Sequence, residues 1–296
     1  MEQSNASSAA RYFSSEEVFA GGKINLFLLI TGRRDDGYHE LATLFVPLPR
    51  PLDRIVFSRA DRDSGIRVQC GEGYIDPESN TLTKAYARYA EATGFAPAVD
   101  VALHKGIPSG AGLGGGSADG AAVLAWLQRR NPHPCEEQAL LKLASRVGAD
   151  VPFFLRNVPC LAEGIGEKLT PHAHGLEKYA CLVVCPDIHV DTAWAYRAWD
   201  RQGSSFSLTA WRKADKTMRP SLRGLYGRND FEPVVFPAWP RLSALKADLL
   251  GAGAEIAGLS GSGSALYGFF PEVRDAARAA DRMKEKGVAV FGPFFV

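Results

Sequence analysis

A run of glycines with a strong helix behind it constrains this chain more than any other feature. Pro108-Ser109-Gly110-Ala111-Gly112-Leu113-Gly114-Gly115-Gly116-Ser117-Ala118-Asp119 follows a stretch that alternates like a strand, Val99 to His104. It leads into Ala118 to Arg130, an Ala- and Leu-rich stretch that reads as a helix. Glycine takes positive φ and leaves no Cβ between its N–H and a ligand. A helix start adds unpaired N–H groups and the positive end of the helix dipole. Together these predict a site for a small polyphosphate. A flexible linker is the competing reading, but a linker has no reason to sit squarely between strand and helix.

Spacing separates the possible phosphate loops. A Walker loop needs Gly-Lys-Ser/Thr, which occurs nowhere in the chain. Gly110-x-Gly112-x-x-Gly115 matches the dinucleotide fingerprint by letter. That fingerprint wants an acidic residue about 20 positions on, at the end of a second strand, where this chain has the helix end and loop from Asn131 to Glu136.

Charge narrows the partner. The 296 residues carry 34 Lys+Arg against 33 Asp+Glu, a net charge of +1, so no global field attracts nucleic acid or an anionic membrane. The best apolar run, Ile24 to Ile30, is short and holds Asn25. The first residues show neither an apolar stretch nor a basic leader, and five cysteines without a C-x-x-C pair read as reduced thiols. A cytoplasmic protein with no nucleic-acid or membrane partner is expected, as a monomer or weak homodimer. The histidines have no ligand spacing, so no structural zinc is expected.

Along the chain, strands are expected at Val18–Thr31 (broken at Gly21-Gly22), Leu41–Pro47, Asp53–Ser58, Ile66–Cys70, Tyr179–Cys185, Ala265–Phe270 and Val288–Phe291. Helices are expected at Asn80–Thr93 with Gly94 as its stop, Glu136–Val147 with Gly148 as its C-terminal glycine, Leu242–Leu250 and Glu272–Lys286. Residues 1–11 read as a polar tail, and residues 200–233 resist assignment. The mixed order predicts an α+β protein. A Pro- and Gly-rich change near 156–175 suggests two domains, 12–165 and 166–296. Arg33, Arg34 and the tract around Arg219 and Arg223 read as solvated surface.

The loop Pro-x-x-x-Gly-Leu-Gly-Gly-Gly-Ser-Ala resembles the phosphate loop of the GHMP kinases, which include galactokinase and the homoserine, mevalonate and phosphomevalonate kinases. Leu259-Ser260-Gly261-Ser262-Gly263-Ser264-Ala265 is similar to the third glycine-rich motif of that superfamily. Lys23-Ile24-Asn25-Leu26 followed by Gly32-Arg33-Arg34-Asp35-Asp36-Gly37-Tyr38-His39 resembles the branch whose acceptor alcohol carries cytidine diphosphate. Gly148 to Phe154, Glu163 to Glu167 and Asn229 to Val234 agree with the same branch. Gly120 stands where alanine is common, and residues 200–228 match nothing in the pattern.

The resemblance implies a two-half α+β fold. Its N-terminal half, like domain 2 of ribosomal protein S5, binds nucleotide, and its C-terminal half is ferredoxin-like. It implies ATP- and Mg²⁺-dependent phosphorylation of a small cytidine-diphosphate substrate. Phosphoryl transfer needs a group to orient the hydroxyl and accept its proton. Asp150, after a helix and before Val-Pro-Phe-Phe, is the candidate; a helix-end cap is its bland alternative. Lys23 stands in an apolar strand, where a charge is costly unless paired, and beside Asp150 it would keep that carboxylate ionised. A lysine reaching out to solvent is the alternative. Asn25 shares the strand face of Lys23.

By resemblance, Tyr38 and His39 recognise cytidine and Thr192 lies at the acceptor. Asn80 and Lys105 line the nucleoside pocket. Pro108, Gly110, Gly112, Leu113, Gly114, Gly115, Gly116 and Ser117 hold the phosphates. Ser117 is also the natural helix cap and, by resemblance, a weak Mg²⁺ candidate. A kinase for a homoserine- or mevalonate-type alcohol, and a nucleotide-binding regulator without catalysis, remain the competing readings.

Overall fold

A computed structural model describes residues 15–71, 73–74, 80–202 and 222–296. The polar stretch 1–11, residues 12–14 and Arg219 lie outside the described residues.

Two sheets organise the described residues. The first is built from β1 (Ser15–Arg33), β2 (His39–Arg59), β3 (Ile66–Cys70), β4 (Gly73–Tyr74), β5 (Val99–His104), β6 (Cys160–Gly164) and β7 (Lys168–Pro171). Its order is β4-β3-β5-β2-β6-β7, with β1 along the other edge of β2; every pairing is antiparallel except β3 with β5. Helices α1 (Thr81–Thr93), α2 (Gly115–Arg130), α3 (Glu137–Val147) and α4 (Val151–Arg156) belong to this half. Their apolar faces pack with β2, β3 and β5 around Phe57, Tyr89 and Trp126.

The second sheet holds β8 (Ala180–Cys185), β9 (Ile256–Leu259), β10 (Leu266–Phe270) and β11 (Ala289–Phe294) in the order β11-β8-β10-β9, all antiparallel. With α5 (Thr192–Gln202), α6 (Glu232–Ala238), α7 (Pro240–Gly251) and α8 (Val273–Glu285), the strands run β-α-β-β-α-β, the split βαβ pattern of a ferredoxin-like half. Helix α8 buries Ala276, Ala279, Ala280 and Met283, a stripe at helical spacing.

Several elements differ from expectation for local reasons. The break at Gly21-Gly22 is a bulge: β1 pairing skips from Ala20↔Asp53 to Gly22↔Leu48, and the strand continues. The two expected strands after His39 are one strand, β2. Pro49 and Pro51, which cannot donate, lie in the stretch that the ladder skips. Helix α2 starts three residues before Ala118 because Gly114 takes the left-handed conformation at its N-cap, with φ 72°. Ser117 therefore sits within the first turn and does not cap the helix. Gly148 follows α3 with φ −175°, which is extended backbone. A Cβ there would press on Val151 Cγ2 at 3.3 Å.

The two halves are joined along β1. Beyond Asn25 its ladder with β2 lapses until Leu28. There the Leu26 carbonyl accepts from Gly227 N–H (2.9 Å) and the Tyr267 hydroxyl (2.7 Å). Leu28 exchanges bonds with Arg228 and Asp230, and Ile30 N–H donates to the Asp230 carboxylate at 2.9 Å. Ile24, Leu26, Phe27 and Leu29 pack with Val183, Tyr267 and Phe269 of the second sheet in one apolar core.

The five cysteines are free thiols, three of them buried. Burial pushes the Cys185 thiol up to about 12 and raises Cys181 as well, so both stay protonated and inert. Among the described residues no helix is long and apolar enough to cross a membrane.

Candidate active site

A cleft of about 440 Å³ opens between the start of α1, the end of β5 and the glycine-rich loop. Pro108, Gly110, Gly112, Leu113, Gly114, Gly115, Gly116 and Ser117 all line it, as do Asn80 and Lys105. Gly110, Gly112 and Gly114 have positive φ. Their neighbours differ. A Cβ at Gly112 would stand 2.1 Å from the Ser260 carbonyl oxygen, and one at Gly115 would stand 2.9 Å from Ile107 Cγ2. Among the described residues, a Cβ at Gly116 would meet only Thr81 Oγ1, at 3.7 Å. Gly112 lets the two glycine loops touch, whereas Gly116 leaves backbone open toward the cleft.

Asn80 caps α1, its side-chain oxygen accepting from Thr83 N–H at 2.7 Å. Lys105 is tied between two buried carboxylates: it donates to Asp53 and to Asp119, the latter at 2.9 Å. Asp53 also accepts from Gly106 and Ile107 N–H at 2.7 and 2.8 Å, which fixes the turn into the loop. Burial, reinforced by the Asp53 charge and opposed by the Lys105 ammonium, lifts the Asp119 carboxyl to about 7. For Lys105, burial works against the charge, but the two carboxylates outweigh it and raise its pKa.

Lys23 and Asp150 meet at the far end of the loop. Lys23 is 4% exposed, and its Nζ lies 3.8 Å from Asp150 Oδ2. The ammonium donates to Asn25 Oδ1 at 2.5 Å and to the Gly112 carbonyl at 3.2 Å, over the Phe45 ring. Burial lowers its pKa and the Asp150 charge opposes that shift. This lysine is not a solvent-reaching one. Asp150 stands at the N-cap of α4, but its side chain makes no cap bond and remains partly open to solvent. Asn25 donates from Nδ2 to Thr43 Oγ1 at 2.8 Å, and Thr43 donates on to the Phe27 carbonyl. Ser117 is close by: a Cβ at Gly148, two residues before Asp150, would lie 3.9 Å from Ser117 Oγ.

An aromatic cluster joins the start of β2 to α5. His39 is buried, stacks on Tyr196 at 4.5 Å and 17°, and meets Trp199 edge-on at 5.7 Å. His39 Nε2 and Asp200 Oδ1 are 2.7 Å apart. Tyr38, by contrast, is 62% exposed. Burial, with the Asp150 charge adding to it, lifts the Tyr196 phenol to about 12. Thr192 begins α5, and its hydroxyl lies 2.9 Å from the Ser262 hydroxyl. Arg33 is exposed and reaches Asp200 at 3.7 Å; Arg34 pairs with Asp36 at the surface. Among the described residues, no group of three His, Cys, Asp or Glu could hold a metal ion.

Residues 80–157 match the model described as GHMP kinases N terminal domain, and residues 212–289 match GHMP kinases C terminal. The 4-diphosphocytidyl-2-C-methyl-D-erythritol kinase of Nitratidesulfovibrio vulgaris is 46% identical over 277 residues, covering 92% of this chain and 96% of its own. The chain belongs to the 4-diphosphocytidyl-2-C-methyl-D-erythritol kinases of the GHMP superfamily. A crystal structure of 4-(cytidine 5'-diphospho)-2C-methyl-D-erythritol kinase superposes with a TM-score of 0.73 at 35% identity, covering 93% of this chain and 97% of that one. Homoserine kinase from Cytophaga hutchinsonii also reaches 0.73, covering 96% and 97%, but at 20% identity it shows the shared fold alone.

Membership in this kinase family accounts for the three motifs but not for all the side chains around them. Asp53, Asp119, Tyr196, Trp199, Asp200, Ser260 and Ser262 were not singled out by sequence. Asp119 carried a legible signal, one helical turn beyond Gly115. Asp53 is a lone acid in an apolar alternation, Ser260 and Ser262 stand in a glycine-rich motif that does not tell one serine from another, and nothing local marks Tyr196, Trp199 or Asp200.

Proposed function

We propose that the protein is an ATP-dependent kinase that phosphorylates the 2-hydroxyl of 4-diphosphocytidyl-2-C-methyl-D-erythritol, in the non-mevalonate isoprenoid pathway. The observation that carries this reading is the pairing of buried Lys23 with half-open Asp150, at 3.8 Å, next to the glycine loop. Asp150 orients the acceptor hydroxyl and takes its proton; Lys23 keeps that carboxylate charged and stabilises the developing alkoxide. Transfer is direct and in line, with no phosphoenzyme. The loop holds the polyphosphate on backbone N–H groups at the start of α2, a helix with no acid in its first turn. Asn80 and Lys105 receive the nucleoside, while Asn25 and Thr192 meet the acceptor. His39, stacked on Tyr196, and Tyr38 receive the cytosine.

Mg²⁺ fits the donors present. A hard cation of this kind keeps water and phosphate oxygens rather than an all-protein cage, and Ser117 offers one hydroxyl between loop and Asp150. When bound, it neutralises charge on the transferred phosphoryl group. We further propose a nucleotide-binding unit over 12–165 and a second unit over 166–296, with β7 (Lys168–Pro171) reaching back to complete the sheet of the first. The near-neutral chain is read as a cytoplasmic monomer or weak homodimer acting on small molecules, without nucleic-acid or membrane partners.

ADP release coupled to a reporter enzyme tests the reading, with the cytidyl substrate set against mevalonate and homoserine. Turnover is expected with the first alone. Lys23→Ala and Asp150→Asn are expected to fold as the wild type and to lose turnover; near-wild-type kcat in either removes that residue from the catalytic pair. ATP binding without turnover on any alcohol would overturn the kinase assignment.

A further inference from the structure

Ser260 is fully buried, and its hydroxyl both donates and accepts across the seam between the halves. Its Oγ donates to the Gly112 carbonyl at 2.9 Å and accepts from Asn25 N–H at 3.2 Å. The Asn25 N–H points to the edge of β1 away from β2, as does the Lys23 N–H two residues before it, which donates to the Leu113 carbonyl at 2.8 Å. The Gly112 carbonyl accepts a second bond from Lys23 Nζ. One carbonyl oxygen thus carries the catalytic ammonium on one side and a serine hydroxyl from the other half on the other.

The surroundings hold that serine in place. Asn229 donates through Nδ2 to the carbonyls on both sides of it, Leu259 and Gly261, at 2.8 Å each. Ser260 N–H donates to the Ala265 carbonyl at 2.9 Å, closing the glycine turn. Close approach depends on missing side chains: a Cβ at Gly261 would sit 3.2 Å from the Gly112 oxygen, and one at Gly112 would collide with the Ser260 carbonyl.

We infer that Ser260 is a positioning residue for phosphoryl transfer: through the Gly112 carbonyl and the Asn25 backbone it sets where the Lys23 ammonium stands relative to Asp150. The inference rests on the reading of Lys23 and Asp150 as the catalytic pair. Without the hydroxyl, the Gly112 carbonyl loses one of two donors and is free to turn with the loop. Asn25 N–H loses its acceptor, and Asn25 Oδ1 is the other oxygen that holds Lys23. A displacement of about 1 Å at such a group costs on the order of 100-fold in rate. Both binding pockets keep their own side chains, so binding is touched far less than turnover.

Ser260→Ala, close to serine in volume, and Ser260→Cys test this by steady-state kinetics on the enzyme, with pH profiles of kcat and thermal melting. Expected in Ser260→Ala is a loss of kcat of about 10- to 100-fold, with KM for each substrate within about threefold of wild type. The basic limb of the kcat profile should move to lower pH, because a hydrogen bond to the charged lysine that weakens no longer favours the charged form. Ser260→Cys, whose thiol is a poor donor, should show the same split if Ser260→Ala fails to fold. Unchanged kcat in a folded variant, or KM rising for both substrates at constant kcat, would overturn the inference. Absence of turnover in the wild type would instead overturn the proposed function, so the two failures are distinct.

Discussion

Glycines in one loop do different work, and substitution separates them. Gly112→Ala forces a methyl against the Ser260 carbonyl at a positive φ, so about 2–4 kcal/mol of stability should be lost, measured by urea unfolding. Gly116→Ala has room in the fold but puts a methyl beside the backbone that faces the cleft. The melting temperature should hold while KM for ATP rises about tenfold or more. The glycine run was legible in the sequence. Its division of labour was not, because the partner of Gly112 stands 148 residues further on. Asp119 adds a pH signature. Its carboxyl titrates near 7 in the fold and near 3.8 when unfolded, so the folded state binds the proton more tightly. The stability it contributes is present below about 4 and is lost as pH rises through 7, with a slope of up to about 1.4 kcal/mol per pH unit. Asp119→Asn should flatten that part of the stability profile, followed by denaturation at stepped pH.

At the scale of elements, legibility followed how local the forces are. Helix α1 was readable at both ends, since Asn80 caps it and Gly94 closes it with φ 73°. Helix α8 has an apolar stripe that no other element needs to explain. Strands β6 and β7 were missed because their Pro- and Gly-rich surroundings read as a boundary; Gly164 and Gly166, both at positive φ, make the turn between them. Helix α4 was hidden by Pro152, which a first turn tolerates. Helix α5 fell partly into the unassigned stretch, yet it carries Thr192, Tyr196, Trp199 and Asp200. Asp191 accepts from Trp194 N–H at 2.6 Å at its start. Asp191→Ala should cost about 1 kcal/mol and raise KM for the cytidyl acceptor while leaving KM for ATP unchanged, a contrast read from paired saturation curves.

For the molecule as a whole, the sequence suggested two halves, whereas β1 belongs to both. Its apolar residues share one core with Val183, Tyr267 and Phe269, and its backbone bonds to residues 227–230. A seam of this kind should make unfolding a single transition, with calorimetric and van't Hoff enthalpies in agreement; two resolved peaks would contradict it. The sequence showed Lys23, Asp150 and the three motifs, because each is a short pattern. The junction was invisible, because it is made of backbone groups and of apolar residues that any core would use.

The union of Asn25 with Ser260 also sets a timetable for synthesis. The two residues lie 235 positions apart, and at about 5–20 residues per second the ribosome needs roughly 12–47 s to reach the second after the first. Throughout that interval the nascent chain carries Ile24, Leu26, Phe27 and Leu29 without the sheet that covers them. Growing chains of this protein therefore offer an apolar strand to any holdase within reach, and the seam from Asn25 to Ser260 closes only after the second sheet has been made.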